Sequence, residues 1–177
     1  MRRQLIIVPV LGVCLLVLTA GPPAFAGGST QYAGKNSQGQ KLRFAVDHTA
    51  NGPKFDPASI TQITRCPITG ELIGITESFA GFQVPIKNGK FNFVLNTVDN
   101  LVDWSGTVTS TTASGKESID LPGFDKEGGL QSCGAGSLSW TAKALASGSP
   151  VPTAPSAAYV IKVTKAANGS VHYSITH

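Results

Sequence analysis

Apolar and polar residues alternate with a period of two along most of the chain, and no long stretch keeps the 3.6-residue period of an amphipathic helix. Leu42, Phe44 and Val46 alternate with Lys41, Arg43 and Asp47. Phe82, Val84 and Ile86 alternate with Gln83, Pro85 and Lys87, and Phe91, Phe93 and Leu95 follow at once. Trp104 and Val108 share a parity, as do Leu138, Trp140 and Ala142. Tyr159, Ile161 and Val163, then Val171, Tyr173 and Ile175, close the chain. This pattern predicts strands that set one face on a core and the other in water, separated by turns where Gly, Ser, Asn and Asp cluster. The one Ala-rich stretch, residues 141–147, is too short to stand as a helix.

Two Asn-Gly pairs let turn type be argued from register. A two-residue loop at Asn88-Gly89 sets Ile86 opposite Phe91, Val84 opposite Phe93 and Phe82 opposite Leu95, which predicts a type I′ turn. Pro85 then falls at a ladder position without an N–H, which places its strand at an edge or a bulge. At Asn168-Gly169 a two-residue loop would pair Tyr173 with Thr164. A three-residue loop over Ala167, Asn168 and Gly169 instead pairs Tyr173 with Val163 and Ile175 with Ile161. The predicted geometry there is a type I turn with Gly169 in the left-handed position of a bulge.

Short strands joined by turns, without intervening helices, imply an all-β antiparallel sandwich or barrel. Residues 27–145 form that domain. Residues 146–158, with Pro150, Pro152 and Pro155 among Ser, Gly and Ala, read as a connector. The hairpin of residues 159–177 is expected to pack on the main domain, because an isolated hairpin is only marginally stable in water.

Residues 1–26 have the three regions of a secretory signal peptide. Arg2 and Arg3 come first, then an uncharged apolar run over residues 5–18, then Ala24-Phe25-Ala26, with cleavage expected after Ala26. The run is short of the roughly 20 residues a spanning helix needs. Cys14 lies within it, preceded by Val13, and reads as one more small apolar residue rather than an acylation site. Cleavage changes the balance of charge. Of 177 residues, 151 remain, and 12 of the 14 basic side chains stand against 10 acidic ones, so +4 becomes +2. The basic precursor is therefore no argument for nucleic acid as a partner, and no membrane association is expected after cleavage. The expected location is extracellular.

Two cysteines remain, Cys66 and Cys133, which allow one pairing across a loop of about 66 residues, worth roughly 4 kcal/mol if formed. The alternative is two buried thiols. The order Tyr32-Ala33-Gly34-Lys35-Asn36-Ser37, Cys66, Asn88-Gly89-Lys90-Phe91, Cys133-Gly134-Ala135-Gly136 and Trp140-Thr141-Ala142 resembles that of a group of small secreted bacterial β-sandwich proteins. The resemblance runs from Gln31 to about Ala144 and implies a jelly-roll-like sandwich stapled by one disulfide. It implies no activity and no site residues.

Candidate chemistry is sparse. Nucleophilic catalysis would have His48, His172 and His177 as its only bases, and no Gly-x-Ser-x-Gly elbow is present. Glu71 and Glu77 could serve a glycosidase-like hydrolase, yet six residues along a strand is about 20 Å, too far for a working pair. A partner such as Glu117 or Asp120 would have to come from another strand. Asp99, Asn100 and Asp103, and Asp120, Asp125 and Glu127, offer oxygen ligands without a recognised calcium spacing. No catalytic residue, metal ligand or cofactor site is assigned. Trp104 and Trp140 sit at inward parity and belong to the core, whereas Phe55 and Phe124 lie near loops and are the candidate ligand-contact aromatics. The expected protein is a secreted, non-enzymatic sandwich that binds an extracellular partner, with polysaccharide or cell-wall material in view. A small extracellular hydrolase and a carbohydrate-binding module are the alternatives.

Overall fold

The computed structural model describes residues 27–66, 70, 72–96, 101–124, 130–146 and 159–176. The expected signal segment and residues 147–158 of the connector lie outside the described residues. Twelve strands follow one another: β1 (Ser29–Asn36), β2 (Lys41–Thr49), β3 (Gly52–Arg65), β4 (Leu72–Ala80), β5 (Val84–Pro85), β6 (Lys90–Asn96), β7 (Leu101–Val108), β8 (Thr112–Phe124), β9 (Leu130–Gly134), β10 (Leu138–Ala144), β11 (Tyr159–Lys165) and β12 (Val171–Thr176). No helix among the described residues is long and apolar enough to cross a membrane.

The ladders run β12-β11-β4-β3-β2-β1-β10-β8-β7-β6, and β9 pairs with both β3 and β8. Strands β3, β2, β1, β10, β8 and β9 thereby close on one another as a six-stranded barrel. A sandwich was the expectation. Closure arises because β3 and β8, at 14 and 13 residues, are long enough to change neighbours along their length. β3 pairs with β2 up to Ile60 and meets β9 at Arg65, while β8 leaves β10 after Glu117 and takes up β9 from Asp120. The β2–β3 register shifts at Arg43/Phe44, where Ala58 is the extra residue beside Pro57. A bulge tolerates the missing N–H of Pro57 and bends the strand around the core. All pairs are antiparallel except β4 with β11, which brings the C-terminal hairpin onto the main sheet.

The barrel is stapled where its wall is thinnest. The β3–β9 ladder has one registered pair, Arg65 with Gly134, and the Cys66–Cys133 disulfide stands beside it, with an S–S distance of 2.02 Å. The two-thiol alternative is thus excluded. Between Ile60 and Arg65, β3 lacks a strand on the β2 side, and the β1–β2 turn supplies amides instead. Gln38 donates from Nε2 to the Ile63 carbonyl and accepts from the Ile63 N–H, both at 2.8 Å.

Inside, the period-two pattern holds. Trp104 is completely buried and Trp140 nearly so; their rings meet edge to face at 6.1 Å around Phe44 and Phe91. Both Asn-Gly turns have their expected form. Asn88 and Gly89 take φ of 51° and 73°, with Lys87 opposite Lys90. The pairing stops there, because the Ile86 N–H turns to the Pro53 carbonyl and Val84–Pro85 pairs with β3. Tyr173 stands opposite Val163 and Ile175 opposite Ile161, with Gly169 at φ 87° and its N–H on the Ala166 carbonyl.

Candidate functional site

Strands β2, β1, β10 and β8 are adjacent in the wall, so their outward residues form rows across it. One row runs Lys41, Lys35, Thr141, Ser114, then Thr107 of β7 and Lys90 of β6. The next runs Arg43, Ala33, Lys143 and Thr112. Lys116 lies beside Ser139 and Ser105 in a third. Lys35, Lys41, Lys116, Lys143, Thr141 and Ser114 are exposed, while Arg43 and Ala33 are half-buried. Among the described residues, none of these four lysines makes an ion pair or a side-chain hydrogen bond. Arg43 holds only the Ser59 hydroxyl, at 3.3 Å from Nε. Burial draws the Arg43 guanidinium down from its ordinary pKa.

Ala33 is the low point of this face. Arg43 and Lys143 flank it on the two neighbouring strands, about 10 Å apart by strand spacing. Lys35 follows on its own strand. Shallow depressions of about 250 and 480 Å³ lie on either side of β1 here, lined by Ala33, Gly34 and Lys35 together with Lys41 and Arg43 on one side and Thr141 and Lys143 on the other. Gly34 is required by the packing, since a Cβ there would meet the Thr141 carbonyl and the Cα of Ala142. The nearest acids are Asp56, one row away opposite Ala45, and Asp47. The Asp56 carboxyl is pushed above its ordinary pKa, first by burial and then by the Asp47 charge. Asp47 accepts from Gln83 Nε2 at 2.9 Å.

A second polar group lies inside the barrel. Asn36 Nδ2 donates to Glu117 Oε1 at 2.8 Å and to the Thr61 carbonyl at 3.0 Å, and Asn36 Oδ1 accepts the Gln38 and Gln40 N–H groups. Gln62 donates to the Ile119 carbonyl, while on the opposite face of β3 the Thr61 and Thr76 hydroxyls share a bond of 2.9 Å. Glu77 is 0% and Glu117 1% exposed. Glu117 Oε2, Gln62 Oε1 and both indole N–H groups are buried without a hydrogen-bond partner. Burial raises the Glu117 carboxyl to about 7, against the opposing pull of the Asn36 bond. These groups fasten the β1–β2 turn to β3 and β8. Closed from solvent, they offer no cleft to a polymeric substrate.

The expected contact aromatics fare differently. Phe55 is 0% exposed, stacked on Phe91 at 3.8 Å between ring centres, and offers no face to a ligand. The reason is the tight turn before it: Thr49 pairs with Gly52, so β3 begins three residues earlier and Phe55 falls at inward parity. Phe124 ends β8 opposite Leu130, and its side chain lies outside the described residues. Glu71, Asp99, Asn100, Asp125, Glu127 and His177 also lie outside them. His48 and His172 are exposed: His48 contacts the Thr30 hydroxyl and His172 the Ser170 hydroxyl, each through Nε2, and the Ser170 hydroxyl donates to Asn168 Oδ1 at 2.7 Å. Among the described residues no three His, Cys, Asp or Glu converge as metal ligands.

Sequence reasoning missed the cationic face. Its signal was present in the outward parity of Lys41 and Arg43 in β2, but the neighbours Lys35 and Lys143 come from strands joined only by long-range pairing. No protein-family model, curated protein or solved structure matches the chain.

Proposed function

We propose that the protein is a secreted, non-enzymatic binding protein that holds a negatively charged partner at the cell surface or wall on the outer face of β2, β1, β10 and β8. The observation that carries this reading is the set of Lys35, Lys41, Arg43 and Lys143 on three adjacent strands, without a carboxylate partner among the described residues. Cations left unpaired on a rigid sheet are available to an incoming anion at little ordering cost. The N-terminal signal pattern and the disulfide support an extracellular setting. The burial of Glu77 and Glu117 supports a role other than hydrolysis.

Retention on an insoluble cell-envelope fraction tests the reading. The secreted chain is expected to bind and to release as salt rises, because exposed charges are screened. K35E/K143E is expected to bind at least about tenfold more weakly. Unchanged retention of that variant would sink the proposal.

A further inference from the structure

The chemistry of the partner can be narrowed, on the premise that this face is the binding surface. We infer that the ligand is an acidic polysaccharide, a sugar polymer with carboxylates along its length, and that one carboxylate sits over Ala33 between Arg43, Lys35 and Lys143. The register itself builds the seat. Ala33 contributes only a methyl group to the outer face, and the two depressions beside β1 share Ala33 and Lys35 in their lining, with cations from β2, β1 and β10 around them. Arg43 brings a planar fork suited to a carboxylate, and Lys35 and Lys143 bring point charges from two further directions.

The rest of the surface selects the polymer type. Thr141 and Ser114, exposed and free of side-chain hydrogen bonds among the described residues, continue the row from Lys35 and can exchange hydrogen bonds with sugar hydroxyls. Every Phe and Trp whose side chain is described is buried. Among the described residues, this face shows no Phe or Trp ring on which single-stranded bases could stack. A neutral sugar would likewise find no platform there. Exposed large apolar residues among the described set are Leu72, Val94 and Leu101, on β4, β6 and β7, so β2, β1 and β10 hold nothing to insert into a bilayer. Individually weak ion pairs suit a repeating ligand, which multiplies them by avidity.

The test uses the secreted chain with polygalacturonate, a neutral glucan, duplex DNA and anionic phospholipid vesicles, each at low and high salt. Polygalacturonate alone is expected to bind. K35Q/K143Q is expected to weaken that binding about tenfold or more. A33F, which fills the seat without altering charge, is expected to weaken it several-fold. K162Q/K165Q, the same charge change on exposed residues of β11, is expected to leave it within about twofold of wild type. Equal loss in K162Q/K165Q, unaltered binding by A33F, or preference for the glucan, DNA or vesicles overturns the inference. If the envelope fraction still retains the protein through Lys35 and Lys143 while polygalacturonate does not bind, the ligand class is wrong and the binding face stands. Failure of both assays overturns both.

Discussion

Glu117 shows what a single residue contributes when its strand parity conflicts with its chemistry. It lies between Gly115 and Ile119 on the inward side of β8, so the barrel takes in a carboxyl group whose pKa rises to about 7. Its folded pKa exceeds the ordinary value of 4.5, so the folded state holds the proton more tightly than the unfolded chain. The carboxyl is harmless below about pH 4.5 and becomes increasingly destabilising up to about pH 7, approaching a penalty of about 3 kcal/mol above that. E117Q keeps the acceptor for Asn36 and removes the charge. It should match wild type at pH 4 and exceed it by up to about 3 kcal/mol at pH 8 in urea unfolding. Identical pH profiles would refute the assignment. Comparing variant with wild type cancels the similar contribution of Asp56. Glu77 lies between Ile75 and Phe79, and Gln62 between Ile60 and Thr64, at inward positions of alternating strands, where their polar character argues for the surface. Phe55, expected near a loop, falls inward because the β2–β3 turn is tighter than its residues suggest.

At the scale of elements, the turns were the most legible features and the seam the least. Asn-Gly chemistry is local, so the Asn88-Gly89 turn and the register of the C-terminal hairpin can be derived from a dozen residues each, whereas the expected pairing of Val84 with Phe93 and Phe82 with Leu95 gives way to the β5–β3 and β6–β7 ladders. The β3–β9 closure depends on one residue pair separated by 69 positions, and nothing local announces it. The Cys66–Cys133 disulfide is adjacent to that pair, and β9 is held otherwise by its ladder to β8. Replacing both cysteines by alanine is expected to cost roughly 2–5 kcal/mol. Amide exchange should accelerate first at Arg65 and Gly134, ahead of the β1–β2 and β7–β8 ladders. Wild-type protection at those two amides in the variant would show that the seam does not need its staple.

For the whole molecule, the all-β class, the core tryptophans and the pairing of the C-terminal hairpin strands follow from patterning alone. Barrel closure and the cationic face do not, because both are products of which strands become neighbours. Net charge conceals the second: a chain at +4, or at +2 with the expected cleavage after Ala26, gives no hint that Lys35, Lys41, Arg43 and Lys143 share one surface. The same long-range order that takes the aromatics inward leaves that surface to cations and hydroxyls, and so directs the account from stacked sugars toward an anionic partner. The most direct measurement is a backbone and lysine-side-chain NMR titration of the secreted chain with material released from the cell envelope. Shifts are expected to centre on Ala33, Lys35, Lys41, Arg43 and Lys143 and to fade with added salt. Shifts confined to the β6 and β12 edges, or to the buried residues around Glu117, would contradict it.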